Sequence, residues 1–153
     1  MIDAIDIDIL KIVQANARTS NAEVARQVGM APSAIFERIK KLEAAGWIKG
    51  YHAQLSPKDL GLGLAAFVFV RADDMAGELA VGERLAQIPE VQEVHHVAGE
   101  DCYLAKVRAK DTEDLGRLLR DRFAAIAGLR STRTTIVLNT LKETGEIPLT
   151  GAV

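Results

Sequence analysis

Three side chains in the second half of this 153-residue sequence have the chemistry to react or to hold a metal: His95, His96 and Cys102. A thiolate forms near neutral pH only beside a base or a positive charge, and a histidine could supply it. The spacing works against that reading. Adjacent residues of a strand point to opposite faces, so His95 and His96 cannot both serve one centre. A single cysteine in an apolar strand is ordinarily a small buried hydrophobe. The same alternation argues against a metal site, and no CxxC or HxxxH spacing offers another. There is no Gly-rich phosphate loop. The chain therefore reads as a non-enzyme, with no catalytic residue, metal or cofactor expected.

The remaining chemistry is electrostatic. Net charge is −2, with 8 Lys+Arg against 7 Asp+Glu in residues 1–61 and 11 against 14 in residues 62–153. Between positions 26 and 49, Arg26, Arg38, Lys40, Lys41 and Lys49 outnumber Glu37 and Glu43. A local basic stripe of this kind suits a phosphate backbone, although a solvated helix face has the same composition. Hydrophobic residues at 48% and charged residues at 26% indicate a packed globular protein. No apolar run approaches the roughly 18 residues of a membrane span. The acidic start, Asp3, Asp6 and Asp8, lacks the basic region of a signal peptide. With Cys102 as the only cysteine, no intramolecular disulfide can form. A cytoplasmic protein without a membrane partner is expected.

Three helices must carry the basic stripe. Asp3 can cap the first, which buries Ile5, Ile9, Ile12 and Val13 and runs to about Ala15. Ser20-Asn21-Ala22-Glu23 has the form of a reciprocal capping box for the second, ended by Gly29. Pro32 suits the start of the third, which buries Ile35, Ile39 and Leu42 and ends at Gly46. Two helices joined by so short a turn match a helix-turn-helix, while an ordinary three-helix packing unit shows the same periodicity. Residues 47–55 read as a short strand pair or wing, with Trp47 and Ile48 closing the small core.

Ser56-Pro57-Lys58-Asp59-Leu60-Gly61 interrupts the pattern. The expected organisation is a DNA-binding domain over 1–55, a hinge over 56–63, an effector-binding and oligomerisation domain over 64–143, and a mobile tail over 144–153. In the second domain, residues 64–70 form an unbroken apolar run, read as a strand buried on both faces. A helix over 77–87, strands over 91–97 and 102–109, a long helix capped by Asp111 and stopped by Gly128, and a strand over 131–141 follow. Strand, helix, strand, strand, helix, strand is the ferredoxin-like βαββαβ order, so the fold class is α+β. Both helices then cover one face of the sheet. The other face would expose apolar surface unless a second copy covered it, which predicts a homodimer.

The pieces Ile2-Asp3-x-x-Asp6-x-x-Ile9-Leu10, Arg18-x-Ser20, Val28-Gly29, Glu37-Arg38-Ile39-x-x-Leu42-Glu43 and Gly46-x-Ile48-x-Gly50-Tyr51 resemble, in order and spacing, the DNA-binding domain of Lrp/AsnC transcription regulators. The resemblance extends to about Glu143. It implies a sequence-specific regulator of double-stranded DNA, with Ser33, Ala34, Glu37, Arg38 and Lys41 facing DNA. Arg38 has a second reading, as a structural residue paired with nearby acid. Where the family usually has a helix-capping serine, this chain has Ala31. The resemblance further implies homodimers that assemble into octamers. It also implies a small-molecule effector, an amino acid or a relative, bound between subunits at Gly99, Glu100, Asp101 and Cys102 with Thr135 and Ile136. A carboxylate in that turn would pair with the ligand's ammonium group, but Cys102 replaces the family's usual Asp and Asp101 stands one place earlier. Sirohaem decarboxylases, which resemble these regulators in both domains, are the alternative.

Overall fold

The computed structural model describes residues 2–74 and 78–149. Its contacts divide the chain into two units, Met1–Gln54 with Lys142–Val153, and Leu55–Leu141. In the first, α1 (Ala4–Ala15), α2 (Asn21–Val28) and α3 (Pro32–Ala44) close around Ile9, Val24, Ala25, Ile35 and Leu42. Each helix starts for a local reason. Asp3 accepts from the Asp6 amide at 2.9 Å while the Asp6 carboxylate accepts from the Asp3 amide at 3.1 Å, a reciprocal box at the head of α1. Ser20 caps α2 by accepting from the Glu23 amide at 3.2 Å. The expected return bond from Glu23 is not made. Its carboxylate turns to Arg26, at 2.8 and 2.5 Å, and to Gln27 at 2.8 Å, because a charged fork outcompetes a neutral amide. Arg26 first, then Gln27, hold the Glu23 carboxyl at about 2. Gly29 closes α2 at φ 72°, and Pro32 opens α3 behind Ala31, which offers no side-chain cap.

One side chain ties α1 to α3. Arg38, 27% exposed, donates from Nη1 to Asp3 at 2.9 Å and to Asp6 at 2.7 Å. The carboxylates that cap α1 thus also anchor α3. The Asp6 amide, followed by Arg38, draws the Asp3 carboxyl below its ordinary range, and Asp6 and Asp3 raise the guanidinium in turn.

Two segments of this unit differ locally from the elements expected of them. Residues 47–55 form no strand pair: Ile48 packs on the core, but Trp47 is 48% exposed. A two-stranded hairpin without a third strand or a covering helix has little to stabilise it. Residues 144–149, expected as a mobile tail, are instead fastened to α1. The Gln14 side-chain amide donates to the Ile147 carbonyl at 2.9 Å and accepts from its amide at 2.8 Å, reproducing both halves of a strand pairing. The last four residues of that expected tail, 150–153, lie outside the described residues.

The second unit runs β1 (Leu64–Ala72), α4 (Ala80–Leu85), β2 (Val91–His96), β3 (Tyr103–Ala109), α5 (Thr112–Leu118) and β4 (Leu129–Ile136). The sheet is antiparallel in the order β2-β3-β1-β4, as the ferredoxin-like arrangement requires. Gly77, where a helix was expected to begin, lies outside the described residues. Asp74 accepts from the Val81 amide at 3.2 Å and from the Tyr103 hydroxyl, holding the start of α4 to β3. Burial first, and Asp74 next, push the Tyr103 hydroxyl up to about 12. A Cβ on Gly82 would stand 2.5 Å from Tyr103 Cε1, so α4 reaches that ring only with glycine there.

The long helix expected after Asp111 is shorter and changes pitch. Asp111 does cap it, accepting from the Asp114 amide at 2.8 Å. Past Leu118, residues Leu119–Phe123 form a π-helical turn in which the Ala124 amide reaches the Leu119 carbonyl at 3.0 Å. An α-helix would set Leu118 and Phe123 about 140° apart. The wider turn brings both into the core.

Nor is β1 buried evenly on both faces. Ala66, Val68 and Val70 lie in the core under the helices, while Phe67, Phe69 and Arg71 alternate onto the opposite face. That face is less greasy than its sequence suggests. Lys106 and Arg108 of β3 and Arg133 of β4 share it with the two phenylalanines. β4 ends at Ile136 rather than Leu141 because its partner β1 starts at Leu64, and the last bond is Val137 to the Ala65 carbonyl at 2.9 Å. Beyond it Leu138 and Leu141 are 97% and 92% exposed.

Two stability predictions follow from the first unit. Ala31→Ser supplies the missing cap and should stabilise α3 by about 1 kcal/mol in denaturant unfolding; no gain would mean that this helix start needs no side-chain acceptor. Arg38→Ala should lower the unfolding midpoint, and the loss should depend on pH. A carboxyl depressed on folding contributes stability that is present above its unfolded pKa, ordinarily 3.8 for Asp3, and lost as pH falls through the folded value. The gap between wild type and variant should therefore shrink below about pH 4, and an equal gap at neutral and acid pH would refute the Asp3 pairing.

Candidate functional site

The outward arc of α3 is the first candidate. Ser33, Phe36, Glu37, Lys40 and Lys41 are exposed, and Ala34 is half-buried. Arg38 is half-buried, and the pairing of its structural reading is present, since its guanidinium is engaged by Asp3 and Asp6. The reason lies in the wheel: Arg38 falls beside the inward residues Ile35 and Leu42, where only the α1 carboxylates are within reach. Phe36 and Lys40 were not among the expected contacts. Lys40 Nζ lies 5.7 Å from the Phe36 ring centroid, within cation–π range. The signal for Phe36 was present in the sequence as an apolar residue one place off the Ile35, Ile39, Leu42 stripe. Phe36 also borders a shallow groove of about 380 Å³ shared with Val13, Asn21, Ile39 and Tyr51.

The turn joining β2 to β3 is the second candidate. Gly99 stands at φ 126°, a conformation that favours glycine. The carboxylates beyond it are not free. Arg71 pairs with Glu100 and lies 3.8 Å from Asp101, while Arg133 donates to Asp101 at 3.0 Å with its guanidinium 4.1 Å from the Phe69 ring centroid. Sequence reasoning missed both arginines, because β1 and β4 bring them to the turn from 30 residues on either side. A zwitterion would meet both signs of charge here.

The other expected effector residues are placed apart from this cluster. Thr135 pairs with Phe67 and Ile136 with Ala66, whereas Cys102 bonds to the Val70 carbonyl, about 10 Å further along the strands. Thr135 and Ile136 also point to opposite faces of the sheet. The reactive trio is likewise dispersed. Cys102 Sγ donates to the Ala72 carbonyl at 3.5 Å, His95 pairs with Glu93 at 3.2 Å, and the His96 ring lies 5.3 Å from that of Tyr103. His95 first, and Lys106 after it, lower the Glu93 carboxyl. Among the described residues, no group of three or more His, Cys, Asp or Glu could hold a metal ion, and no helix is long and apolar enough to cross a membrane.

Comparison with known proteins assigns different families to the two parts of the chain, with the second match running six residues past Leu141. Residues 2–49 match the winged helix-turn-helix DNA-binding family, and residues 65–147 match the Lrp/AsnC ligand binding domain. The HTH-type transcriptional regulator FL11 of Pyrococcus horikoshii is 38% identical over 149 residues, covering 97% of each chain. Among solved structures, a transcriptional regulator from Neisseria meningitidis in complex with L-Met superposes with a TM-score of 0.90 at 31% identity, over 97% of both chains. A feast or famine regulatory protein from M. tuberculosis, complexed with L-methionine, gives 0.88 at 33% identity, over 96% of this chain and 99% of that one. These matches favour a regulator over the sirohaem-decarboxylase alternative. The chain belongs to the Lrp/AsnC family and is a DNA-binding transcription regulator with that family's ligand-binding domain.

Proposed function

We propose that the protein is a cytoplasmic homodimer, able to assemble further into octamers, that places the α3 helices of two copies in successive major grooves. Ser33, Ala34, Glu37 and Lys41 meet DNA, and Arg38 acts only by holding α3 in place. The observation that carries this reading is the presence in one chain of two features. One is an αL-glycine-joined helix pair with an exposed second helix; the other is a sheet domain whose structural neighbours hold L-methionine. Assembly is supported by the uncovered sheet face, where Phe67, Phe69 and Leu104 sit among paired charges. Two copies related by a two-fold axis would read half-sites about one helical turn apart.

The effector is an amino acid bound at the Gly99–Cys102 turn. Its ammonium competes with the arginines for Glu100 or Asp101, and its carboxylate takes up the guanidinium released, at Arg71 or Arg133. Thr135 and Ile136 join such a site only from a second copy. Binding that favours one assembly over another is what lets the ligand alter DNA occupancy.

Calorimetric titration with the amino acids, L-methionine first, tests the sensor. Heat is expected for wild type and none when both carboxylates are removed in Glu100→Ala/Asp101→Ala; silence of wild type toward all of them would refute the amino-acid reading. On the DNA side, Lys41→Ala should weaken binding and reduce the salt slope by about 1. An unchanged affinity and slope would remove α3 from the groove, and a strictly monomeric wild type in sedimentation would rule out the paired half-sites.

A further inference from the structure

We propose that Phe36 is a sequence-reading residue, one that packs its exposed ring against the methyl group of a thymine, with Lys40 held over it to steady the ring and neutralise nearby phosphate. The inference rests on α3 being the helix that enters the major groove, and it names chemistry for that contact.

The argument begins with what α3 lacks. Base edges in the major groove are read mainly by Arg or Lys at guanine, by Asn or Gln at adenine, by Asp or Glu at cytosine, and by apolar groups at the thymine methyl. The helix Pro-Ser-Ala-Ile-Phe-Glu-Arg-Ile-Lys-Lys-Leu-Glu-Ala contains no Asn or Gln, and its one arginine, Arg38, is bound to Asp3 and Asp6. The outward arc therefore holds a hydroxyl (Ser33), a carboxylate (Glu37), two ammonium groups (Lys40 and Lys41) and one aromatic ring. Of these only the ring cannot be satisfied by water. The other large apolar residues of α3, Ile35, Ile39 and Leu42, belong to the core. Phe36 is 50% exposed and lies outside it.

Its position agrees. Phe36 is one turn before Lys40 and one residue before Glu37, on the same exposed half of the helix as Ser33, which sits one turn earlier still. The Lys40 ammonium 5.7 Å from the ring centroid places a positive charge beside the apolar contact. Phosphates flanking a base step require such a charge. A ring that instead served as a contact between copies would affect assembly and leave base preference alone, which gives the test its second arm.

The experiment uses the full chain. Duplexes bound by wild type are selected from a random pool, and each thymine of the selected site is replaced singly by deoxyuridine, which removes only the methyl. Wild type should lose about four-fold in affinity at one thymine per half-site, the loss expected for uncovering one methyl group. Phe36→Ala should bind the thymine and deoxyuridine duplexes equally, and Phe36→Leu, which keeps an apolar core-compatible side chain, should show a reduced penalty at the same position. Circular dichroism confirms that each variant is folded. If Phe36→Ala does not fold, Phe36→Leu alone decides the matter.

The proposal is overturned if no deoxyuridine lowers wild-type affinity. It is overturned equally if the folded Phe36 variants keep the full penalty, or if Phe36→Ala changes the sedimentation of the free protein while its thymine preference stays intact. Lys41→Ala separates this failure from a wrong placement of α3. With α3 in the groove, Lys41→Ala weakens binding whatever Phe36 does; with α3 elsewhere, neither residue matters.

Discussion

The pairing of Arg38 with Asp3 and Asp6 is the constraint on which the DNA-binding unit turns. The Asp3 and Asp6 carboxylates already cap α1, so one guanidinium fixes the start of one helix and the middle of another at the same time. An ion pair at a protein surface is ordinarily worth little. Here its weight comes from geometry. The core beneath it is small, with Ile9, Val24, Ala25, Ile35 and Leu42 as its buried members and partly buried residues such as Ile12, Val13 and Ile39 packed around them. The arginine supplies a directional restraint that aliphatic packing does not.

The sheet domain solves a different problem. Four strands covered by helices on one face leave the other face to be filled, and alternation along β1 puts Phe67 and Phe69 there. Those rings do not stand alone. Arg133 lies over Phe69 and is itself held by Asp101, while Lys106 pairs with Glu93 on the same face. A face with this make-up is only partly apolar. Paired charges at its margins would favour a defined register in the proposed dimer, since like charges brought opposite one another would oppose a shifted one. The arginines that dress this face also reach the Gly99 turn, so the chemistry of the turn and the chemistry of the open face share residues.

Much of this was legible in the chain because it is local. Asp3, Ser20 and Asp111 are caps whose partners lie three residues away, Gly29 stops α2 by its own backbone freedom, and the order of strands and helices follows from hydrophobic period. Gly128, expected to stop the last helix, lies instead in the turn before β4, past the helix end at Phe123. What escaped was set by partners distant in sequence. Glu23 could have completed a capping box, and lost that role to Arg26. Arg38 was readable as a DNA contact or as a structural residue, and its acidic partners Asp3 and Asp6 lie more than 30 residues away on α1. The acids of the Gly99 turn were recognised as a possible ligand site, yet Arg71 and Arg133 come from strands that a linear reading cannot bring to the turn. The π-helical turn at Leu119 escaped for another reason: Leu118, Phe123 and Ile126 are all apolar, and nothing in their spacing says that the helix must widen to bury them together.

The end of β4 carries a last consequence. Strand β1 begins at Leu64 and β4 finishes at Ile136, and these ends are neighbours, because Ala66 pairs with Ile136 and Val137 bonds to Ala65. The chain enters the sheet domain before β1 and leaves it after β4, so both covalent connections to the other unit start from the same end of the same strand pair. The Gly99 turn, with Arg71 and Arg133, gathers toward the opposite end. At about 3.3 Å per residue, β1 spans roughly 20–25 Å between Arg71 and Leu64. Within one chain, then, the way from the turn to the covalent connections before β1 and after β4 runs the length of β1, the central strand that carries Phe67 and Phe69, and of its edge neighbour β4. In the proposed dimer a second copy over those rings would brace that strand, which is how assembly at the face and a ligand at the turn would come to share it.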